Sequence, residues 1–278
     1  MALNPDCVGH ETEELVHSYD ENDAILYALS VGATRDELDF LYEGLGPKVL
    51  PTYAVVPTFQ VVGALLNVVD GDLLGVVHGA QGIRLHKSFA PRGTLKTVGK
   101  VAAIYDLKRM AQAIFTSETR DEEGELVCET EWNILYRFDG GFDGERPPKS
   151  AKARAPDREP DFIVEEATSP EQALLYRLNG DRNPLHADPA IGKQAGFDGP
   201  ILHGLCTYGY VGRAILKNVC DGDPARLRSL NGQFRKPVFP GDTIITEGWK
   251  EEGKVIVRAS AKERPGEYVV ANSWAEID

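Results

Sequence analysis

An α+β fold built twice is what this sequence predicts, and three observations carry that expectation. The chain aligns with itself at one fixed offset, and each half holds one long apolar helix. Each helix is followed by segments of alternating polarity that read as antiparallel strands. A buried helix wrapped by a sheet, made twice, gives a pseudo-dimeric body.

The repeat is an ordered series. Tyr27 falls on Tyr176, Leu29 on Leu178, Pro51 on Pro200, Lys87 on Lys236, Pro91 on Pro240, Thr94 on Thr243 and Gly99 on Gly248, each pair 149 residues apart. Further on, Gly124-Glu125 matches Gly266-Glu267, Val127 matches Val269 and Trp132 matches Trp274, at an offset of 142. The first copy therefore carries seven extra residues within a strand connection.

The helix of the first copy is expected over residues 54–71 (AVVPTFQVVGALLNVVDG) and that of the second over 205–220 (LCTYGYVGRAILKNVC). Neither shows a polar face of ordinary width, which means burial on most sides. Strands are expected at 82–89 and 94–107 in copy one, and at 232–239, 242–251 and 254–261 in copy two, from their alternation and β-branched content. Pro240-Gly241-Asp242 and the Glu-Glu-Gly before Lys254 punctuate them as turns. Residues 142–161 are rich in proline and charge without apolar period and read as an exposed linker. The repeats are then 1–141 and 162–278.

Composition narrows the partners. Hydrophobic residues make up 42% and charged ones 26%, as in an ordinary globule. A net charge of −13 opposes nucleic acid as the main partner, because phosphate binding needs a cationic face. Cys7, Cys128, Cys206 and Cys220 form no CxxC pair or metal-ligand spacing and read as reduced thiols. Residues 1–30 lack the order of a secretory signal, and no apolar run approaches the roughly 18–20 residues of a membrane helix. The C-terminal SWAEID is no peroxisomal signal. A cytoplasmic protein is expected, with the peroxisome left open.

The chemistry concentrates in Tyr176–Gly204. Asp181, Asn183 and His186 fall within six residues, Pro184 stiffens the turn, and a Gly/Pro-rich passage leads to His203-Gly204. A carboxylate, an amide and an imidazole this close, with a backbone donor nearby, suit proton movement beside a carbonyl. By the 149 offset their counterparts in copy one are Gly32, Thr34 and Glu37, so the first copy lacks both acid and base. One active site per chain follows, with copy one, through Val56, Phe59 and Val62, offering room for an apolar tail. A metal reading of Asp181, His186 and Asp188 is poor, since no further His or Cys completes a shell.

The run GDRNPLH, followed by FDGPILHGL, resembles the signature of the MaoC-like R-specific 2-enoyl-CoA hydratases (hydratase 2). The repeated layout looks like their double hot-dog form, as in the hydratase part of peroxisomal multifunctional enzymes. HGAQ at 78–81 and FRKPVFPGDT at 234–243, taken as a strand, also look like stations of that form. The resemblance implies that Asp181 and His186 jointly hold a water, that Asn183 fixes the geometry, and that the Gly204 N–H donates to a thioester oxygen. It also implies that His78, Gly79, Lys108 and Phe234 contact an acyl-CoA, with Arg182, Pro184 and Leu185 at the pocket edge. Arg182 stands where multifunctional enzymes often carry an aromatic.

The implied reaction is reversible hydration of trans-2-enoyl-CoA to (3R)-3-hydroxyacyl-CoA in β-oxidation or related acyl-CoA metabolism. The alternative is a (3R)-hydroxyacyl thioester dehydratase serving acyl synthesis or steroid side-chain CoA esters. No cofactor beyond the CoA of the substrate and no metal are implied, and a homodimer is expected. Arg235 and Lys236 read as solvated strand-edge charges or as partners of CoA phosphates. His78 reads as strand-end structure or as a ligand contact, and His203 as a structural hydrogen bonder at the start of the helix.

Overall fold

The computed structural model describes residues 3–148 and 153–278, so residues 149–152 of the expected linker lie outside it. The first half runs β1 (Leu15–Tyr19), α1 (Glu21–Ser30), α2 (Leu38–Leu41), α3 (Val55–Val69), β2 (Val76–Leu85), β3 (Gly93–Asp106), β4 (Ala111–Arg120) and β5 (Leu126–Tyr136). The second runs β6 (Phe162–Ala167), α4 (Gln172–Tyr176), α5 (Pro189–Gln194), α6 (Gly204–Val219), β7 (Leu227–Phe234), β8 (Thr243–Glu251), β9 (Lys254–Ala261) and β10 (Tyr268–Ile277).

In each half an antiparallel sheet wraps one long helix, α3 or α6, as a double hot-dog requires. The two sheets also meet edge to edge. The order β1-β3-β4-β5-β2-β7-β10-β9-β8-β6 makes them one ten-stranded sheet with its seam at β2–β7. That seam centres on Gly82 opposite Asn231, two residues separated by the repeat offset itself. A pseudo-two-fold axis therefore passes through this pair. Other mates meet along it: the Tyr27 and Tyr176 rings lie 6.3 Å apart, and Asn179 Nδ2 donates to Ser30 Oγ at 2.8 Å.

Burial makes α3 a helix against local preference. Val55, Val56, Val61, Val62 and Val69 are β-branched, each costing up to ~0.7 kcal/mol of helix propensity. Full burial of such a side chain returns roughly 1.5–3 kcal/mol, so the sheet decides. The fit is close: a Cβ on Gly99 of β3 would lie 2.0 Å from Val61 Cγ1. In α6 nearly every residue from Leu205 to Leu216 is buried, including Arg213. Its guanidinium donates to Glu37, to Glu166 Oε1 at 2.8 Å and to the Val31 carbonyl at 3.1 Å, which ties α6 to the first half.

Several expectations shift. β2 begins at Val76 and β7 at Leu227, both earlier than the alternation suggested, and β7 stops at Phe234. Residues 235–239 do not continue the strand, because Pro237 lacks an N–H and the chain turns through Pro240-Gly241. The strands β1, β4, β5, β6 and β10 add to those expected. The seven extra residues lengthen the β3–β4 hairpin, whose strands of 14 and 10 residues face 9 and 8 in β8–β9. The expectation about apolar runs also needs correction. Pro51–Val69 has a mean hydropathy of 1.5 and is long and apolar enough to cross a membrane by composition. It is mostly buried as the helix that the first half wraps. All four cysteines are free and buried, and burial pushes the Cys128 thiol up to about 12, which suits inert packing.

Candidate active site

The site is assembled where a strained turn meets the start of α6. Gly180 takes a φ of 124°, open to glycine and strained for other residues, and reverses the chain after Asn179. The Asp181 carboxylate then accepts the Asn183 N–H at 3.1 Å. Asn183 caps the single 3-10 turn Pro184–His186: its Oδ1 accepts the Leu185 N–H at 3.0 Å, and Pro184 stands at the first helical position, where its missing N–H costs nothing. Asn183 thereby aims His186, five residues past Asp181.

His186 is buried, and its Nδ1 lies 2.8 Å from the Ile201 carbonyl. A carbonyl only accepts, so Nδ1 carries the proton and the neutral ring keeps a free lone pair on Nε2. Burial pushes His186 below the ordinary histidine range, opposed by the Asp181 charge. Burial likewise pushes Asp181 above the usual carboxylate range, opposed by His186. The two groups thus stabilise each other's charged forms in a site that disfavours both.

His203 lies beneath them. Its ring stacks on His186 with centroids 3.7 Å apart and planes at 26°, and its Nε2–H donates to the Asp181 carbonyl at 3.3 Å. Nδ1 of His203 is buried without a partner. Asp181, His186 and His203 each place a ligand atom within 4.8 Å of the others, so a histidine from outside the turn joins the pair. Two rings stacked with centroids 3.7 Å apart in nearly parallel planes, however, have no nearby point that lies in both planes. Their in-plane lone pairs do not converge on one ion at the ~2.0 Å that zinc–imidazole bonds require.

His203 is also the N-cap of α6 and gives it no side-chain cap. The first N–H groups of such a helix point outward unpaired. The Gly204 N–H has no acceptor among the described residues. A Cβ at Gly204 would sit 3.3 Å from the Phe234 ring, so Phe234 covers this glycine closely. Phe234 in turn lies 5.0 Å from His78, which stacks on Trp132 at 4.9 Å, and Trp132 meets Phe59 of α3 edge-on at 6.2 Å. An aromatic row thus leads from Gly204 across the seam to the helix of the first half. Burial pushes His78 down to about 4, and its Nε2 has no partner. Gly79 is the extra residue of a bulge, with His78 opposite Ile134 and Ala80 opposite Asn133.

The remaining residues are spread wider. Arg182 and Pro184 are exposed and Leu185 half-buried along the rim of the turn. Arg235 and Lys236 are exposed directly after Phe234; Lys236 approaches Glu267 at 3.9 Å, and Arg235 has no side-chain partner among the described residues. Lys108 sits in the lengthened β3–β4 hairpin with a φ of 73° and is not brought to the Asp181–His186 pair by any hydrogen bond or ion pair. An open cleft of about 390 Å3, lined by Pro170, Leu174, Pro200 and Phe239, has His186 in its wall. His203 makes a structural hydrogen bond at the start of α6, the part its place before Gly204 suggested, whereas its stacking on His186 was not visible in the sequence.

Known proteins resemble the chain over its whole length. Residues 151–271 match the MaoC like domain, and residues 17–138 match the MFE-2 hydratase 2 N-terminal domain. A Mycobacterium tuberculosis protein named 3-hydroxyacyl-thioester dehydratase Y is 42% identical, over 93% of this chain and 91% of that protein. The peroxisomal enoyl-CoA hydratase 2 of Arabidopsis thaliana is 38% identical over 92% and 90%. The crystal structure of a MaoC-like dehydratase from Phytophthora capsici superposes with a TM-score of 0.89 at 33% identity, covering 99% of this chain and 98% of that one.

Proposed function

As the chain belongs to the family of MaoC-like hydratases and dehydratases, we propose that it catalyses the reversible hydration of trans-2-enoyl-CoA to (3R)-3-hydroxyacyl-CoA, with Asp181 and His186 activating the water. One observation carries the residue assignment. The His186 Nδ1–H is committed to Ile201, so a basic Nε2 stands beside the Asp181 carboxylate, with an unpaired Gly204 N–H at the adjoining start of the helix.

The chemistry follows from those groups. His186 Nε2 takes a proton from a water oriented by Asp181, and the water oxygen forms its bond to C3 while the C2–C3 π pair moves toward the thioester. Negative charge grows on the thioester oxygen, where the Gly204 N–H meets it; losing such a donor typically costs about 3–4 kcal/mol. C2 then collects a proton from the same pair, so the enzyme is regenerated and one water has been added. Acid and base lie on one face, which favours syn addition.

The aromatic row from Phe234 through His78 to Phe59 gives the acyl chain an apolar path into the first half, and Arg235 and Lys236 suit the CoA phosphates. No cofactor enters, and the expected assembly is a homodimer. The cytoplasm fits the sequence, and the peroxisome is the compartment named for the plant relative. The reverse dehydration uses the same site, a reading favoured by the dehydratase named above. Crotonyl-, decenoyl- and branched enoyl-CoA, followed by loss of the conjugated thioester's ultraviolet absorbance, test the proposal. Absence of hydration on all three would refute it.

A further inference from the structure

We infer that His203 is a positioning residue for the reaction: it lies flat under His186 and holds the Asp181 backbone, fixing both groups in the geometry the water needs. The inference rests on the hydratase reading above.

Three contacts converge on this side chain. Its Nε2–H donates to the carbonyl of Asp181, the residue that follows the glycine-dependent reversal at Gly180. Its face covers the His186 ring at 3.7 Å, which blocks rotation of that ring away from the Ile201 carbonyl. The Tyr176 ring lies 4.9 Å from it at a tilt of 48°, so two aromatic rings pack against it. The residue is 1% exposed, and its backbone is the N-cap of α6, next to the Gly204 N–H. One side chain therefore couples the acid, the base and the start of the helix.

Its charge state suits the task. Burial pushes His203 down to about 2, with His186 and Arg177 adding to the effect and the Asp181 carbonyl opposing it. The ring stays neutral while His186 gains its proton, and the electron-rich face of a neutral imidazole favours a cation above it. A charged ring there would oppose that step. A small error in such packing is costly, because a misplacement of about 1 Å can cost on the order of 10²-fold in rate.

Two substitutions separate the contacts. His203→Phe keeps a flat ring and loses the N–H, while His203→Gln keeps an N–H and loses the ring. Each is expected to lower kcat by about 10- to 100-fold while KM for crotonyl-CoA stays within about twofold. Nitrogen-15 NMR of histidine-labelled protein supplies a readout that a purely structural role would not move. In the wild type His203 should be neutral with its proton on Nε2 at pH 6, and at pH 8, above the ordinary histidine range, the neutral His186 should carry its proton on Nδ1. In the variants the His186 signals should shift toward a mixture of tautomers. Folded variants with wild-type kcat would overturn the inference, as would reduced kcat with an unchanged His186 tautomer. Should the variants fail to fold, the wild-type spectrum decides: a His203 protonated on Nδ1 or charged at pH 6 overturns it, and a neutral Nε2–H form supports it. A wild type that hydrates no enoyl-CoA would instead refute the hydratase reading.

Discussion

Replacing Asp181 by Asn removes the charge and little else. The amide oxygen can still accept the Asn183 N–H, which Asp181 accepts at 3.1 Å, so the turn that aims His186 should survive. The loss is electrostatic and catalytic. A positioned acid–base group typically contributes 10²–10⁴-fold, so kcat should fall by at least about 10²-fold, or ~2.7 kcal/mol of barrier. Two accompanying signs come from the mutual support of the pair. Without the Asp181 charge, which holds His186 up, the acid limb of kcat/KM should move to lower pH, from a wild-type limb already below the ordinary histidine range. Stability should move the other way from activity. A carboxyl raised by burial destabilises the fold at every pH above its folded value, so at pH 7 the variant should melt at or above the wild-type temperature. The gain should vanish once acid protonates the wild-type carboxyl. Steady-state hydration of crotonyl-CoA from pH 5 to 9, with thermal melts across the same range, reads all three. A folded variant with near-wild-type turnover would remove Asp181 from the mechanism.

Further outcomes are expected. The product should be the 3R alcohol, so coupling to a 3S-specific hydroxyacyl-CoA dehydrogenase should give no signal, and a strong one would overturn the stereochemical assignment. Val56→Trp or Phe59→Trp should lower kcat/KM for a ten-carbon enoyl-CoA more than for crotonyl-CoA, since added volume in a packed slot costs roughly 1–3 kcal/mol only to a tail that reaches it. Equal losses on both substrates would place the tail elsewhere. Arg213→Met should strand Glu37 and Glu166 and destabilise the fold by about 3–5 kcal/mol, a fall in Tm on the order of 10 °C. Adding Glu37→Gln and Glu166→Gln should recover part of it, and failure to do so would show that packing, not charge, sets the loss.

The repeat was legible because two copies of one plan must place prolines and glycines at the same backbone stations. Gly99 and Gly248 show why that signal is sparse: a Cβ would strike Val61 in one copy and the Phe162 ring in the other, so the station persists while its neighbours drift. The strand ends were less legible. Val76–Gly79 holds a histidine and a bulge glycine that break alternation, and the pairing to β5 that makes it a strand is remote in sequence. Asp181, Asn183 and His186 stood out because one turn carries all three. The stacking of His203 on His186 is a tertiary contact across 17 residues, made by the passage through Ile201, and no local pattern announces it. The approach of Phe234 to His78 could be anticipated only through resemblance.

The seam at Gly82–Asn231 has a consequence for how the enzyme behaves in dilute solution. Two separate chains meeting along such an edge would part as their concentration fell, and the row from Gly204 to Phe59 would part with them. Here both partners hang on one polypeptide, which holds each at a millimolar-scale effective concentration toward the other. Assembly of that row becomes a matter of folding, insensitive to how many enzyme molecules a compartment contains. The tether also ends the obligation of identical halves to change together. The station that holds His186 in one half could become Glu37 in the other, where its carboxylate fastens Arg213 and its former chemistry is no longer needed.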